Sequence, residues 1–172
     1  MRALLLSLCC FYTTLAAAEI DFKTLSMSFE QRVTNEQNQT LKYSGKLWLK
    51  QPSFARYDYE KPVKKTIAIA NKSVLMIEPD LMQVTRFESE IAVNIIELWK
   101  KGKSVGAGKR EATINGIKIT LEHSGERFDR VYYTDDFDNF VEIVFSNHSR
   151  NIAIDDKFFL PPVPKNYDII RQ

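Results

Sequence analysis

The sequence predicts a mainly β fold with some helix (α+β), built on a single curved antiparallel sheet. Apolar and polar residues alternate over residues 41–86 and again, in shorter runs, over residues 112–154. This period of two is typical of strands that bury one face. Helical spacing of apolar residues is confined to two segments. Because a long sheet has exposed edges and an apolar face, we expect it to curl, close or be covered.

The first alternating run predicts successive hairpins whose apolar side chains share one face. Strands are expected to end at Gln51 and Pro52 and to turn at Asn71 and Lys72, since proline and asparagine favour turns. The segment at residues 78–85 closes the run. The side chains predicted on the shared face are Leu41, Tyr43, Leu47, Leu49, Ala55, Tyr57, Tyr59, Ile67 and Ile69.

A helical pattern opens the chain after residue 20. It predicts an amphipathic helix from Asp21 that passes into the first strand at residues 28–34. The residues at this spacing are Phe22, Leu25, Phe29 and, loosely, Val33.

The clearest helical pattern covers residues 87–102. Ser89 is a plausible N-cap, and Gly102 suits the C-terminal end. The apolar stripe consists of Ile91, Ile95, Leu98 and Trp99, widened by Ala92 and Ile96.

The second half of the chain predicts further strands and a proline-rich tail. Residues 102–109 carry three glycines and are expected to form a mobile loop, and residues 112–121 a hairpin that turns at Asn115 and Gly116. Strands are expected at residues 128–133 and 140–145. Another is expected to contain Ile152 and Ile154. A short helical turn at residues 155–157 precedes the prolines, and residues 167–170 are expected to return as an edge strand.

The first 18 residues predict a secretory signal peptide, which leaves residues 19–172 as the exported domain. Arg2 supplies a positive start, residues 3–15 are almost wholly apolar, and three alanines at residues 16–18 offer a cleavage position. The apolar run is short for a membrane span. We therefore expect export and cleavage.

Both cysteines, Cys9 and Cys10, lie in this segment, so the mature chain has no disulfide or thiol chemistry. Leu8 is too large for the residue before a lipobox cysteine, so we expect no lipidation of the chain itself. Removal of Arg2 lowers the formal net charge by one, from +2 to +1. This near-neutral charge argues against a nucleic-acid partner, which needs a basic face.

The sequence predicts neither an enzyme nor a cofactor or metal site. His123 and His148 lie near turns and are expected to be solvated, and no G-x-S-x-G elbow accompanies them. Asp135, Asp136 and Asp138 lack the glycine and terminal glutamate of a calcium loop, so a solvated turn is expected there.

Short motifs, in order along the chain, resemble the periplasmic outer-membrane lipoprotein carrier proteins, the LolA family. The motifs are FEQRV at 29–33, SGKLW at 44–48, KQP at 50–52, RYDY at 56–59, PDLMQVT at 79–85, FFLPP at 158–162 and DII at 168–170. The resemblance implies an unclosed β-barrel with helices lying across its mouth as a lid.

The resemblance also implies a function. It is that of a periplasmic chaperone that accepts acylated lipoproteins released by an inner-membrane ABC transporter and shields their acyl chains. Delivery would be to an outer-membrane receptor or the outer membrane itself, and we expect a monomer. The alternative is a lipid- or lipoprotein-sensing regulatory module of the same fold. A lipidated receptor and a lipid hydrolase are disfavoured, because a lipobox and a nucleophile motif are missing.

On pattern alone, the alternating residues would form an ordinary sheet core. Large inward side chains and few helices to cover them favour an apolar ligand instead, since each exposed Leu or Ile costs roughly 1.5–3 kcal/mol. The acyl-chain cavity is expected to be lined by Leu47, Leu49, Tyr57, Tyr59, Ile67 and Ile69. The underside of the lid is expected to consist of Ile91, Ile95, Leu98 and Trp99.

Three further residues carry specific expectations. Gln51 stands where the resemblance implies an arginine that ties the lid to the barrel, so a neutral latch and an easier-opening lid are expected unless Arg56 or Arg86 substitutes. Phe54 is the candidate for an exposed aromatic that contacts the transporter. Trp48 lies on the opposite face of its strand, either under the C-terminal segment or exposed.

Overall fold

The computed structural model of the chain describes residues 21–88 and 95–171, and these contain one sheet of 12 strands. The strands are β1 Thr24–Thr34, β2 Thr40–Lys50, β3 Phe54–Lys61, β4 Lys65–Ala70, β5 Ser73–Glu78, β6 Gln83–Glu88, β7 Lys103–Gly106, β8 Lys109–Ile114, β9 Ile117–Ser124, β10 Arg127–Thr134, β11 Phe140–Arg150 and β12 Asp168–Arg171. Helix α1 spans Ile95–Lys101, and single 3-10 turns span Pro79–Leu81 and Asp156–Phe159.

The strands follow one another across an unclosed sheet in the order β12-β6-β5-β4-β3-β2-β1-β11-β10-β9-β8-β7. All neighbours pair antiparallel except β12, which lies parallel to β6 and corrects the prediction of a purely antiparallel sheet. The predicted edge position of β12 is confirmed. In the described ranges, no helix has the length and apolar character needed to cross a membrane.

The helix predicted from Asp21 is wrong, because β1 starts at Thr24 and runs to Thr34. Leu25 and Phe29 fit helical spacing, but together with Met27 they also alternate with polar residues, and all three are buried. Strands β2 and β11 flank β1 on its two sides and bond its backbone along nearly its whole length. Tertiary pairing therefore overrides the local helical pattern.

The helix predicted over residues 87–102 is confirmed in its C-terminal part, and its predicted start is wrong. Phe87 pairs with Val74 at the end of β6, and α1 covers Ile95–Lys101. The predicted N-cap Ser89, with Ile91 and Ala92, lies outside the described residues.

Two predictions for the second half need correction. The expected loop at residues 102–109 contains strand β7, which pairs with β8 at the sheet edge. The expected strand around Ile152 and Ile154 is absent from the described structure. Their carbonyl oxygens instead accept hydrogen bonds from Thr24 Oγ1 at 2.6 Å and Lys50 Nζ at 2.6 Å. The β8–β9 hairpin is confirmed, with Asn115 and Gly116 at positive φ in its turn.

The C-terminal segment covers the convex face of the sheet with a second small apolar cluster. Asp155 caps the 3-10 turn by accepting from the Lys157 backbone N–H at 2.8 Å, which confirms the predicted helical turn. Phe159 in this turn is fully buried. Arg56 donates to the Phe158 carbonyl oxygen at 2.9 Å and lies 4.3 Å from the centre of the Phe158 ring. This segment leads to β12, so it connects the middle of the sheet with its edge.

Candidate functional site

The side chains predicted to line a cavity lie together on the concave face of β2, β3 and β4. Leu49 is opposite Ala55, which in turn is opposite Ile69. One register step along, Leu47, Tyr57 and Ile67 form the neighbouring row. Tyr59 is opposite Gly45 in the row after that. Because residues two apart share a face, all six predicted residues project to the same side.

Burial changes along these rows. Leu47, Leu49 and Ile69 are almost completely buried, whereas Tyr59 and Ile67 are half-buried. At its other end the same face is exposed to solvent at Leu41, whose exposed fraction is 62%. The concave face is therefore a closed apolar core at one end and accessible at the other.

Helix α1 covers the closed end. Its side chains Ile95, Leu98 and Trp99 are buried in one cluster with the concave-face residues, and Ile96, also on α1, is buried there too. The Trp99 ring lies 5.5 Å from the ring of Phe128 on β10. Ile91, the fourth predicted lid residue, lies outside the described residues.

Two cations connect α1 with the sheet and its loops. Arg110 on β8 donates from Nε to the Trp99 carbonyl oxygen at 3.0 Å and from Nη2 to the Gly102 carbonyl oxygen at 2.5 Å. Lys100 on α1 donates to the Pro52 carbonyl oxygen at 2.9 Å. Carbonyls at a helix C-terminus lack partners within the helix, so cations are favoured there.

The two arginines considered as substitutes for a latch at position 51 are placed elsewhere. Arg56 is engaged with the 3-10 turn on the convex face, and Arg86 is exposed on β6. Gln51 donates from Nε2 to the Phe22 carbonyl oxygen at 2.6 Å, and its backbone N–H donates to the Lys23 carbonyl oxygen at 2.9 Å. These bonds attach the β2–β3 turn to the residues that precede β1.

Phe54 and Trp48 both lie on the convex side. The Phe54 ring is half-buried and packs 5.5 Å from the Phe159 ring. The structure therefore corrects the expectation of an exposed aromatic at this position, and its contact with a transporter stays a prediction. Trp48 packs edge-on against Phe158 at 5.0 Å, which selects the interpretation that it lies under the C-terminal segment.

The polar residues considered for chemistry have structural partners. The two histidines predicted in solvated loops lie in strands instead, and both are half-buried. His123 on β9 bonds the Gly125 carbonyl and packs against Trp99, and His148 on β11 bonds the Phe128 carbonyl. Asp135 closes the β10–β11 turn. Burial of its carboxylate is outweighed by hydrogen bonds from Asn139 and the Phe137 N–H, so its pKa is lowered.

In residues 21–88 and 95–171, no group of three or more His, Cys, Asp or Glu side chains is placed to hold a metal ion.

Sequence reasoning missed several residues of this site. Leu25, Met27 and Phe29 on β1 line the middle of the concave face, and their period of two was a usable signal beside the helical one. Tyr133 on β10 packs against the same cluster. The sequence around Arg110 did not indicate its contact with α1, because that contact depends on a helix that precedes Arg110 by several residues.

The chain is similar to known proteins in sequence and in fold. The family described as "Outer membrane lipoprotein carrier protein LolA" matches residues 21–100. An outer-membrane lipoprotein carrier protein of Campylobacter jejuni is 33% identical over 94% of this chain and 94% of its own length. A protein of the same name from Wolinella succinogenes is 30% identical over 84% of each chain.

Solved structures share the fold at low sequence identity. An uncharacterized conserved protein from Thermus thermophilus superposes with a TM-score of 0.53 at 12% identity, covering 87% of this chain and 91% of its own. A LolA superfamily protein from Nitrosomonas europaea gives 0.50 at 10% identity, covering 81% and 90%. Together with the sequence relatives, the curled sheet and its apolar concave face show that the chain belongs to the outer-membrane lipoprotein carrier (LolA) family.

Proposed function

We propose that this protein is a periplasmic chaperone that carries acylated lipoproteins to the outer membrane. The observation that carries the proposal is the apolar concave face of the sheet, whose closed end is covered in the described structure by α1 alone, a helix of 7 residues. The relatives named as outer-membrane lipoprotein carriers support the same function. The function requires binding and release, with no bond made or broken.

The acyl chains would occupy the face lined by the residues of the rows described above. These are Leu47, Leu49, Tyr57, Tyr59, Ile67 and Ile69. A chain of about sixteen carbons contributes on the order of 13 kcal/mol when it leaves water, at ~0.8 kcal/mol per methylene. Such a chain cannot cross an aqueous compartment unshielded, but transfer between a bilayer and a similarly apolar cavity is nearly neutral.

Helix α1 would act as the lid. Its buried face, with Ile95, Leu98 and Trp99, fills the space that a ligand needs, so it has to move when chains enter. We assign Ile91 to the same lid on sequence grounds. When no ligand is bound, the buried face of α1 would pack as part of the apolar core and stabilise the fold. A bound acyl chain would replace these contacts with its own.

The proposed route begins with export. The signal peptide at residues 1–18 would be removed, and the domain at residues 19–172 would act in the periplasm. An inner-membrane ABC transporter would load the carrier, and an outer-membrane receptor or the outer membrane would unload it. Directed transfer needs both partners, because the cavity itself must not hold the chains more tightly than the next acceptor.

A release assay tests the proposal. The mature protein from Glu19 is added to spheroplasts with and without ATP, and the supernatant is probed for acylated lipoprotein in a one-to-one complex. We expect a complex that requires ATP-competent membranes. A folded protein that yields no complex under either condition would contradict the function.

A matched pair of variants tests the lid. Ile95→Glu places a charge in the apolar cluster, and we expect it to abolish the complex. Lys101→Gln changes the exposed side of the same helix without adding a negative charge at its C-terminus, and it should leave the complex intact. Unchanged complex formation by a folded Ile95→Glu protein would contradict the lid assignment.

A further inference from the structure

Four polar side chains form a band across the apolar concave face, between its closed and its open end. Tyr59 lies on β3, Tyr43 and Gln31 face each other across β2 and β1, and Tyr133 lies on β10. All four are half-buried. Toward α1, Leu47 and Leu49 are fully buried, so the four polar groups form a boundary between the buried rows and the open end of the face.

Tyr59 contacts both Gln31 and Tyr43, and the curl of the sheet brings Tyr133 against the same apolar cluster as Tyr59. The Tyr59 hydroxyl donates to Gln31 Oε1 at 2.8 Å, and the rings of Tyr43 and Tyr59 are 6.0 Å apart, edge to face. Tyr133 belongs to a strand four positions away from β3, roughly 19 Å across a flat sheet at ~4.8 Å per strand. Burial raises the pKa of the Tyr59 phenol, and the nearby Tyr133 and Tyr43 hydroxyls raise it further.

The raised pKa of Tyr59 keeps its phenol protonated at neutral pH. Burial likewise raises the pKa of Tyr133, as does the neighbouring Asp135 carboxylate. A protonated phenol donates one hydrogen bond and accepts others. A hydrocarbon chain has no group that can form a hydrogen bond. Burying the phenol hydroxyls beneath such a chain is therefore unfavourable unless another polar group bonds them.

The space for this cluster depends on Gly45. Gly45 lies opposite both Phe29 and Tyr59, and a Cβ atom there would meet the Asp58 carbonyl oxygen and the edge of the Phe29 ring. The Phe29 and Tyr59 rings pack 4.9 Å apart over this glycine. The backbone therefore holds the Tyr59 ring in place, with its hydroxyl directed to Gln31.

We propose that Gln31, Tyr43, Tyr59 and Tyr133 form a subsite for the carbonyl groups at the ends of acyl chains. This inference rests on the proposed function and specifies the ligand. A chain whose methyl end reaches the rows near Leu47 places its ester or amide carbonyl at the tyrosines. Lipid-modified cysteines carry glyceryl ester and amide carbonyls within a few bonds of one another, which suits several donors at one level.

Two lipids that differ in a single carbonyl test the subsite. 1-Monopalmitoylglycerol carries an ester, and 1-O-hexadecylglycerol carries an ether with a chain of the same length. Affinities are measured by calorimetry for the mature protein and for the Tyr43→Phe/Tyr133→Phe variant, which keeps both rings. Tyr132→Phe, one residue away on the convex face, is the control.

We expect the unmodified protein and the control to prefer the ester, and the double variant to lose that preference. The ester should bind about 5-fold or more weaker to the double variant, while ether binding stays unchanged. The single variant Tyr133→Phe provides the same comparison if the double variant does not fold.

Equal affinities for ester and ether in the unmodified protein, or a preference that survives in the double variant, would overturn the subsite and leave the carrier function standing. If neither lipid binds, both the subsite and the proposed acyl-chain cavity are wrong. The two failures are thus distinguishable.

Discussion

Arg110 holds Trp99 at two points, because its Nε donates to the Trp99 carbonyl oxygen at 3.0 Å and its guanidinium lies 4.9 Å from the centre of the Trp99 ring. A second bond from Arg110 reaches the Gly102 carbonyl oxygen. Thus one side chain of β8 binds both the backbone and the side chain of the last turn of α1. We infer that α1 is anchored at its C-terminal end.

Removal of this anchor should loosen the helix. In Arg110→Leu the apolar stem is kept and the charged donors are lost, each hydrogen bond from a charged group being worth about 1.5–3 kcal/mol. We expect amide hydrogen exchange in Ile95–Lys101 to accelerate about tenfold or more and bound lipid to escape faster. Arg127→Leu, an exposed arginine on β10, is the control. Unchanged exchange in α1 would show that the anchor lies elsewhere.

Gln51 should influence the lid indirectly. Its side chain bonds the Phe22 carbonyl, the Phe22 ring packs 6.0 Å from Phe128, and Phe128 packs against Trp99 of α1. Gln51→Leu should lower the free energy of unfolding by about 0.5–1.5 kcal/mol, the value of a neutral hydrogen bond. Gln51→Arg supplies a charged donor, so we expect slower exchange in α1 and longer lipid retention. If Gln51→Arg changes neither, position 51 does not act as a latch in this chain.

Gly45 should tolerate no side chain. A Cβ atom would collide with the Asp58 carbonyl oxygen and the Phe29 ring, and backbone on the neighbouring strand cannot yield without disturbing the sheet. We expect Gly45→Ala to lower the free energy of unfolding by about 1–3 kcal/mol, as overpacking does. Gly106→Ala on β7, where a Cβ atom meets nothing within 4 Å, should be nearly neutral. Chemical denaturation of both variants compares the two sites directly.

Period-two patterns predicted most of the sheet correctly, because strands with one buried face alternate strictly. The same pattern placed Leu47, Tyr57 and Ile67 on one face, and the register brings them into one row. The prediction failed at β1, where Leu25 and Phe29 satisfy helical and strand spacing together. Only the flanking strands β2 and β11 decide between the two.

The contacts of the site were less predictable. Tyr133 and Tyr59 come from strands far apart in sequence, and both pack against one apolar cluster because the sheet curls, which local spacing does not encode. The half-burial of Phe54 likewise depends on a C-terminal segment about a hundred residues later, whose Phe159 packs against its ring. Long-range packing of this kind leaves no trace in the pattern around one residue.

The convex face carries a ladder of ion pairs across five neighbouring strands. Glu122 on β9 lies between Lys109 on β8 and Arg130 on β10, at 2.9 Å from each. Arg130 continues to Glu142 on β11 at 2.8 Å, and Glu142 to Arg32 on β1 at 3.5 Å. These pairs cross the half of the sheet that the C-terminal segment leaves uncovered, and we expect them to stabilise its curvature.

The ladder predicts a dependence of stability on pH. Hydrogen bonds from Arg130 and Lys109 lower the pKa of Glu122 from its usual 4.5. Because the folded pKa is depressed, the stabilisation is fully present above 4.5 and is lost as the pH falls through the folded value. Glu122→Gln should therefore be less stable than the unmodified protein at pH 7, by about 1 kcal/mol or less for a partly exposed pair with Arg130.

This difference should shrink as the pH falls below 4.5, since protonation then removes the same charge from the unmodified protein. It should also shrink at high salt, which screens exposed charges. Glu60→Gln is the control, because Glu60 and its partner Lys46 are both highly exposed and 4.0 Å apart. Urea denaturation at pH 7 and pH 3 measures both variants, and a Glu122→Gln deficit that persists unchanged at pH 3 would contradict an electrostatic origin.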